Sequence, residues 1–227
     1  MRILDLYCAG GGAAMGYARA GFIPVGVDIN RQPNYPFPFI QGDAIRVLSE
    51  LLYDEIGVEV DGQMLTIRDF DAIHASPPCQ RYTRKSANWG RARTSVIEHP
   101  DLLAPTRAAL MQAEMPWVIE NVPGAPIDAH LMLCGSMFGL KIQKHRLFES
   151  NVPLVLAPAS CKHVGLYNPW QGPGRSAAKH REAQDTPWLP QSGGASRAAG
   201  YTGDVNNAIP PAYTEFIGKQ LMKAING

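Results

Sequence analysis

The chain has 227 residues, 45% of them hydrophobic and 18% charged, and its formal net charge is +1. This length suits one principal α/β domain with a modest appendage, and it is enough to bury a full core. No apolar stretch approaches the roughly 20 residues that a membrane span needs, and the N-terminus lacks a basic region followed by a signal-like apolar run. We therefore expect a soluble, cytoplasmic protein with no membrane partner.

The net charge conceals an asymmetry along the chain. Residues 141–200 carry eight basic and three acidic side chains, whereas residues 1–140 are acidic overall. A basic later segment suits a phosphate-facing surface better than it suits a metabolite enzyme. An ordinary solvated face would give the same count.

The cysteines are widely scattered, at Cys8, Cys79, Cys134 and Cys161. They show no paired metal-ligand spacing, so the pattern predicts neither a disulfide framework nor a zinc site. The run Cys161-Lys162-His163 is too small a cluster to indicate a metal by itself. We therefore expect no metal.

The N-terminal segment has the pattern of a nucleotide-binding βαβ unit. Residues 2–7 read as a buried strand, followed by a glycine-rich loop at 8–12 and a helical pattern that Gly21 ends. A second strand then ends in an acid, Asp28, whose carboxylate can accept hydrogen bonds from both ribose hydroxyls. The pattern does not choose between NAD and S-adenosylmethionine, and a glycine turn that serves only tight packing would look the same.

Helical patterns follow at 44–53 and 103–114, and a short strand-like stretch at 70–74 lies between them. After that stretch, Pro77 and Pro78 lead Cys79 away from the strand end in a stiff, extended loop. The end of a strand in an α/β chain is where a nucleophile would be placed. A buried apolar cysteine is the alternative reading.

The stretch after the cysteine, residues 81–93, has five basic residues and no acid. It has no obvious apolar period, and Ser86 and Gly90 suggest mobility. A basic loop that also carries aromatic residues suits contact with a nucleic acid.

Two later runs, at 117–124 and 206–218, complete the pattern. The apolar strand that begins at Trp117 delivers Glu120 and Asn121 to the sheet edge that should carry Cys79, although a turn or cap carboxylate would look similar. Residues 133–148 read as a small-residue turn followed by a strand-like run. From 151 to 205 the pattern is irregular, and residues 206–218 then read as a loop entering a helix.

Together these runs resemble the cytosine-C5 DNA methyltransferase family, whose motifs they follow in order along nearly the whole chain. Pro78-Cys79-Gln80 is similar to the family's nucleophile motif, Glu120-Asn121-Val122 to its base-contacting motif, and the run that ends at Arg146 to its arginine motif. The resemblance implies an α/β fold with a doubly wound, mostly parallel sheet of the Rossmann-like methyltransferase type and a small, loop-rich recognition region.

The resemblance also implies S-adenosylmethionine as the cofactor. Residues 5–12 look like the first cofactor motif, Asp28 like the ribose-binding acid, Gly42-Asp43 like the adenine motif, and Asn207-Ala208 like the last cofactor motif. The implied cofactor-binding residues are Tyr7, Ala9, Gly10, Gly12, Asp28, Ile29, Asp43, Ala44, Pro78, Asn207 and Ala208.

The chain departs from the family pattern at two places. Ala9 replaces the first glycine of the cofactor loop, which constrains that turn. The two-arginine pattern is incomplete, because counting back from Arg146 gives Lys144, and Gln143 lies one place closer than usual. Arg146 is therefore the residue of this run that corresponds most clearly to the family's arginine motif.

The implied reaction is methyl transfer to carbon 5 of cytosine in DNA. The Cys79 thiolate would add to carbon 6 of a flipped base, Glu120 would bind the N3 edge, and Arg146 would hold O2. Arg81 or Arg146 would lower the pKa of Cys79, and Asn121 would brace the loop. The implied DNA-contacting residues are Arg81, Arg84, Lys85, Arg91, Arg93 and Lys144.

We expect a catalytic and cofactor-binding domain at 1–150, a target-recognition region at 151–205, and a C-terminal segment at 206–227 that returns to the catalytic domain. The expected partner is DNA, and the expected form is a monomer in the cytoplasm of a prokaryotic or phage-like host. Two alternatives remain open: a related enzyme that methylates tRNA, and a catalytically silent DNA- or cofactor-binding module.

Overall fold

The structure is a computed structural model, and it describes residues 1–53, 57–82, 100–155, 157–167, 177–189, 205 and 207–227. The strands are β1 (Arg2–Leu6), β2 (Ile23–Asp28), β3 (Phe39–Gln41), β4 (Val58–Val60), β5 (Gln63–Leu65), β6 (Ala72–Ala75), β7 (Trp117–Asn121), β8 (Leu131–Cys134) and β9 (His145–Ser150). The α-helices are α1 (Gly12–Ala20), α2 (Ala44–Tyr53), α3 (Leu103–Met111), α4 (Ala177–Gln184) and α5 (Pro211–Asn226).

Seven strands form one sheet in the order β3-β2-β1-β6-β7-β9-β8. The pairs from β3 through β7 are all parallel, whereas β9 runs antiparallel to both β7 and β8. Strands β4 and β5 form a separate antiparallel hairpin. The mostly parallel α/β sheet confirms the predicted fold class.

Helices cover both faces of the sheet, which is why the central strands are almost continuously apolar. On one face, Leu4, Val25 and Ile73 pack with the buried residues of α2 and α3. On the other face, Ile3 and Val118 pack with Tyr17 of α1 and Tyr213 of α5. The alternation of neighbouring strand residues between these two cores is the period expected for a strand.

The helix boundaries follow local rules in the sequence. Gly21 closes α1 with φ of 106°, a left-handed conformation that glycine adopts without strain. Asp43 precedes α2 and accepts a hydrogen bond from the backbone N–H of Arg46 at 2.9 Å. Pro211 occupies the first turn of α5, where its missing N–H costs nothing.

Parallel strands bring their carboxyl ends to one edge of the sheet. Strand β1 leads into the glycine-rich loop, β2 ends at Asp28, β6 leads towards Cys79, and β7 ends with Glu120 and Asn121. In an open α/β sheet this edge is where ligands bind. Among the described residues, none of the helices is both long and apolar enough to cross a bilayer.

Candidate active site

Glu120 and Arg146 form a buried ion pair at this edge. Arg146 Nε lies 2.7 Å from Glu120 Oε1, and its Nη1 donates a hydrogen bond to the carbonyl oxygen of His145 at 2.8 Å. The alignment of Nε with Oε1 is poor, and Oε1 has no hydrogen-bond partner among the described residues. Burial raises the pKa of Glu120, and the charges of Arg146 and Lys144 partly offset that rise.

Cys79 lies in the same electrostatic environment and is half-buried. Burial raises the pKa of its thiol and the Glu120 carboxylate raises it further, while Arg146 lowers it. Arg146 thus lowers this pKa as expected, but desolvation outweighs it, so the pKa of the thiol lies above its ordinary value. Arg81, the other arginine proposed for that role, instead lies 3.9 Å from Asp101.

Asn121 holds the cysteine loop in place. Its Nδ2 donates to the carbonyl oxygen of Pro77 at 3.0 Å, and its Oδ1 accepts from the N–H of Val122 at 2.9 Å. The Tyr82 N–H closes the turn by donating to the Cys79 carbonyl at 2.9 Å. These contacts agree with the predicted bracing role of Asn121.

A buried hydrogen-bonded chain supports Glu120 from beneath. His74 contacts Tyr17 Oη through Nδ1 at 2.9 Å and Ser76 Oγ through Nε2 at 2.8 Å, and Ser76 in turn bonds Glu120. Burial lowers the pKa of His74 to about 3, so its ring is neutral. Sequence reasoning missed this chain, since Tyr17 on α1, His74 on β6 and Glu120 on β7 lie far apart in the sequence.

The glycine-rich loop is shaped by left-handed backbone conformations. Tyr7, Ala9 and Gly11 have φ values of 60°, 45° and 82°. The Ala9 N–H donates to Asp28 Oδ2 at 3.1 Å, while Asp28 Oδ1 accepts from the Asn30 N–H at 2.8 Å. Ala9 thus adopts a left-handed conformation that glycine takes without strain, at a cost of roughly 1–2 kcal/mol.

The structure also places the other predicted cofactor residues. A Cβ on Gly12 would lie 2.4 Å from the Ile209 carbonyl oxygen and 3.2 Å from the Cβ of Ala208, so the segment after Asn207 packs directly on it. Burial raises the pKa of the Tyr7 hydroxyl, and the charge of Asp43 raises it further. Tyr7 Oη also forms a hydrogen bond with Thr106 Oγ1 at 2.8 Å. Ile29 is exposed, Ala44 is buried, and Pro78 is half-buried beside Cys79.

The residues at this edge fit a nucleoside cofactor. Asp28 offers a buried carboxylate, and the adjoining loop brings backbone rather than bulky side chains to the strand ends. The Gly10 carbonyl oxygen accepts a hydrogen bond from Trp188 Nε1 at 3.0 Å. Trp188 belongs to the stretch predicted to recognise the target, yet it contacts the glycine-rich loop.

Lys144 occupies an internal position. It is 1% exposed, and its Nζ donates to Gln184 Oε1 at 2.9 Å and to the Ala208 carbonyl at 2.5 Å. Lys144 directly precedes β9, so it links the start of that strand to α4 and to the predicted cofactor segment. The prediction that Lys144 contacts DNA does not fit this position, because its ammonium faces the protein interior.

The basic stretch after the cysteine is described only at its start. Arg81 is exposed, in keeping with a surface role. The other four predicted DNA contacts, Arg84, Lys85, Arg91 and Arg93, lie outside the described residues. Those four assignments stay predictions.

A Cys/His cluster lies next to the site. Cys134, His145, Cys161 and His163 each offer a ligand atom, and these atoms all lie within 4.8 Å of one another. The expectation of no zinc site rested on spacing along the chain. It missed a cluster that forms only when β8, β9 and the following loop come together.

No family model matches the sequence, and no curated protein matches it. Among solved structures, the Dnmt2 methyltransferase of S. pombe aligns over 100% of both chains at 12% identity, with a TM-score of 0.53. The Entamoeba histolytica methyltransferase EhMeth aligns over 99% of this chain and 98% of its own at 10% identity, with a TM-score of 0.52.

A Spodoptera frugiperda DNMT2 mutant aligns at 19% identity and a TM-score of 0.45. That alignment covers 73% of this chain, which spans 56% of the insect protein. At such identities the likeness concerns the fold. The chain has the Rossmann-like fold of the S. pombe and Entamoeba histolytica methyltransferases.

Proposed function

We propose that this chain transfers a methyl group from S-adenosylmethionine to carbon 5 of cytosine in DNA, through a covalent intermediate on Cys79. The observation that carries the proposal is the meeting of Cys79 with the buried Glu120–Arg146 pair, at the sheet edge that also holds the glycine-rich loop and Asp28. A silent binding module would have no need of a nucleophile, an acid and a cation in one place.

The chemistry follows from the weak nucleophilicity of cytosine carbon 5. Addition of the Cys79 sulfur to carbon 6 moves electron density to carbon 5, which can then take the methyl group. Loss of the proton on carbon 5 and departure of the thiolate from carbon 6 restore the aromatic ring. A base must leave the duplex stack to reach a half-buried sulfur.

Glu120 and Arg146 suit the charge changes that this addition causes. The raised pKa of Glu120 makes its protonation easier, and the protonated carboxyl can donate a hydrogen bond to ring nitrogen N3. Arg146 can hold the exocyclic oxygen O2, and its bond to the His145 carbonyl fixes the guanidinium. When bound, the cofactor supplies the electrophilic methyl group, and Asp28 with the loop at 7–12 would hold its nucleoside.

The substrate is the finer part of the proposal, and tRNA is the alternative. The decisive experiment measures transfer of labelled methyl groups to DNA and to tRNA side by side. We expect product on DNA, located at carbon 5 of cytosine. Transfer to tRNA alone would change the substrate but keep the mechanism, and transfer to neither would contradict the proposal.

Trapping tests the covalent step. DNA with 5-fluorocytosine at methylated positions should become attached to the protein, since fluorine cannot leave carbon 5 as a proton does. The band should require cofactor and should vanish in Cys79→Ser. Absence of a shifted band with DNA that the enzyme methylates would exclude the covalent route.

A matched pair of variants tests Glu120. Glu120→Gln should slow transfer by roughly 10²-fold or more, in the range for general acid–base groups. Glu149→Gln is the control, because Glu149 forms the neighbouring ion pair with Arg107 at 2.6 Å, away from Cys79. Equal losses of activity per folded molecule in both variants would assign Glu120 a structural role only.

A further inference from the structure

Four metal-ligating side chains converge from three segments beside the candidate active site. Cys134 ends β8 and His145 begins β9, and these two residues are paired across the antiparallel ladder. Cys161 and His163 come from the loop after β9, separated by Lys162 alone. We propose that Cys134, His145, Cys161 and His163 form a tetrahedral, structural site for one zinc ion.

The distances match such a site. Cys134 Sγ lies 3.5 Å from His163 Nε2, and Cys161 Sγ lies 3.5 Å from His145 Nε2. Zinc–sulfur and zinc–nitrogen bonds of about 2.3 Å and 2.05 Å, set at tetrahedral angles, give sulfur-to-nitrogen edges of about 3.6 Å. The two imidazole rings lie nearly perpendicular, at 84°, with centroids 4.9 Å apart. One cation can therefore meet all four atoms.

The donor set selects the metal and its role. Two thiolates with two imidazoles in a tetrahedral arrangement suit zinc. The charges of the two thiolates balance the charge of the zinc ion, which lowers the free-energy cost of holding the ion in a partly buried site. Four protein ligands leave no position for water or substrate, so the site would stabilise structure rather than catalyse a reaction.

Surrounding groups orient the ligands. Ser136 Oγ donates to Cys134 Sγ at 3.5 Å and accepts the Lys162 N–H at 3.1 Å. The same hydroxyl thus joins the segment after β8 to the loop that carries the other two ligands. Such outer contacts are typical of metal sites, where they fix the position of the ligating atoms.

The site would secure the strand that carries Arg146. His145 directly precedes Arg146, and its carbonyl oxygen accepts the Arg146 Nη1 hydrogen bond. The loop is also held at its far end, where the backbones of Gln143 and Tyr167 bond at 2.9 Å. Bound zinc would therefore fix both the loop and the start of β9, while contacting neither Cys79 nor Glu120.

Metal analysis of the full chain, purified without added metal or affinity tag, tests the proposal. We expect about one zinc per chain and, after exchange with Co²⁺, the visible spectrum of a tetrahedral site with two thiolates. Removal of the metal by a chelator should lower the Tm by about 5 °C or more, and zinc alone should restore it.

Variants assign the ligands. Cys161→Ser and the exposed His163→Asn should each lose the zinc and the cobalt spectrum, whereas His130→Asn, a histidine outside the cluster, should keep both. The wild-type cobalt titration needs no variant, so it decides the matter even if Cys161→Ser fails to fold. A chain that binds neither zinc nor cobalt, or that carries a Cys134–Cys161 disulfide, would overturn the proposal.

Discussion

At Cys79, burial and the neighbouring Glu120 carboxylate favour the neutral thiol, while Arg146 favours the thiolate. The balance lies with the neutral thiol, which is a weaker nucleophile than the thiolate. A base that accepts a hydrogen bond from protonated Glu120 would remove the carboxylate charge that opposes ionisation. Under the proposed mechanism, substrate binding and thiolate formation are therefore coupled through Glu120.

Asp28 offers the sharpest test of the cofactor site among single residues. Asp28→Ala should weaken binding of S-adenosylmethionine by about 1.5–3 kcal/mol, or roughly 10- to 150-fold, the range for hydrogen bonds to a charged group. It would also release the Ala9 N–H that the carboxylate now holds.

Calorimetric titration with the cofactor measures the effect. Asp128→Ala is the control, because its side chain is 91% exposed and lies on the loop before β8. Unchanged affinity in folded Asp28→Ala would remove Asp28 from the site.

Helices α1 and α5 are packed unusually closely, and glycine makes this possible. A Cβ on Gly16 would lie 2.1 Å from both the Pro211 carbonyl oxygen and Thr214 Oγ1. Thr214 Oγ1 also donates to the Ala13 carbonyl at 2.8 Å, which joins the two helices directly. This contact holds the end of the chain, and with it Ala208, against the glycine-rich loop.

Gly16→Ala should therefore destabilise the protein by about 1–3 kcal/mol, the cost of overpacking a core. Helix propensity alone predicts the opposite, because alanine is better than glycine in a helix interior by about 1 kcal/mol. Urea denaturation measures the change, and Ala18→Gly on the same helix reports propensity without this contact. A more stable Gly16→Ala variant would show that the helices can separate at little cost.

Over the whole chain, the sequence predicted those features that depend on residues close together along the chain. The strand–loop–helix order fixed Asp28, Cys79 and Glu120 at one sheet edge, because parallel strands share their carboxyl ends. The internal role of Lys144 was not predictable in this way, since its partners Gln184 and Ala208 lie far along the chain. The Cys/His cluster was not predictable for the same reason, because its ligands meet only after β8 and β9 pair.

Two buried titratable groups, Asp5 and His74, have opposite effects on how the stability of the molecule changes with pH. Asp5 is fully buried, and burial raises its pKa from 3.8 to about 8, although Tyr35 Oη donates to it at 3.5 Å. His74 on the neighbouring strand has its pKa lowered from 6.5 to about 3. Between pH 3.8 and 8 the folded state holds the Asp5 proton more tightly, so stability falls as pH rises. Between pH 3 and 6.5 the unfolded state binds the His74 proton more tightly, so stability rises with pH.

These two effects oppose each other between pH 3.8 and 6.5, and of the two only that of Asp5 remains between pH 6.5 and 8. We therefore expect the free energy of unfolding to fall across that upper window, by up to about 1.4 kcal/mol per pH unit. Asp5→Asn replaces the carboxyl group with an amide that resembles the neutral acid. Its free energy of unfolding should not show this loss, so its stability relative to the wild type should increase as pH rises. Urea denaturation at a series of pH values measures both, with Asp61→Asn in the β4–β5 turn as the exposed control. Parallel stability curves for Asp5→Asn and the wild type would mean that Asp5 does not titrate in this range.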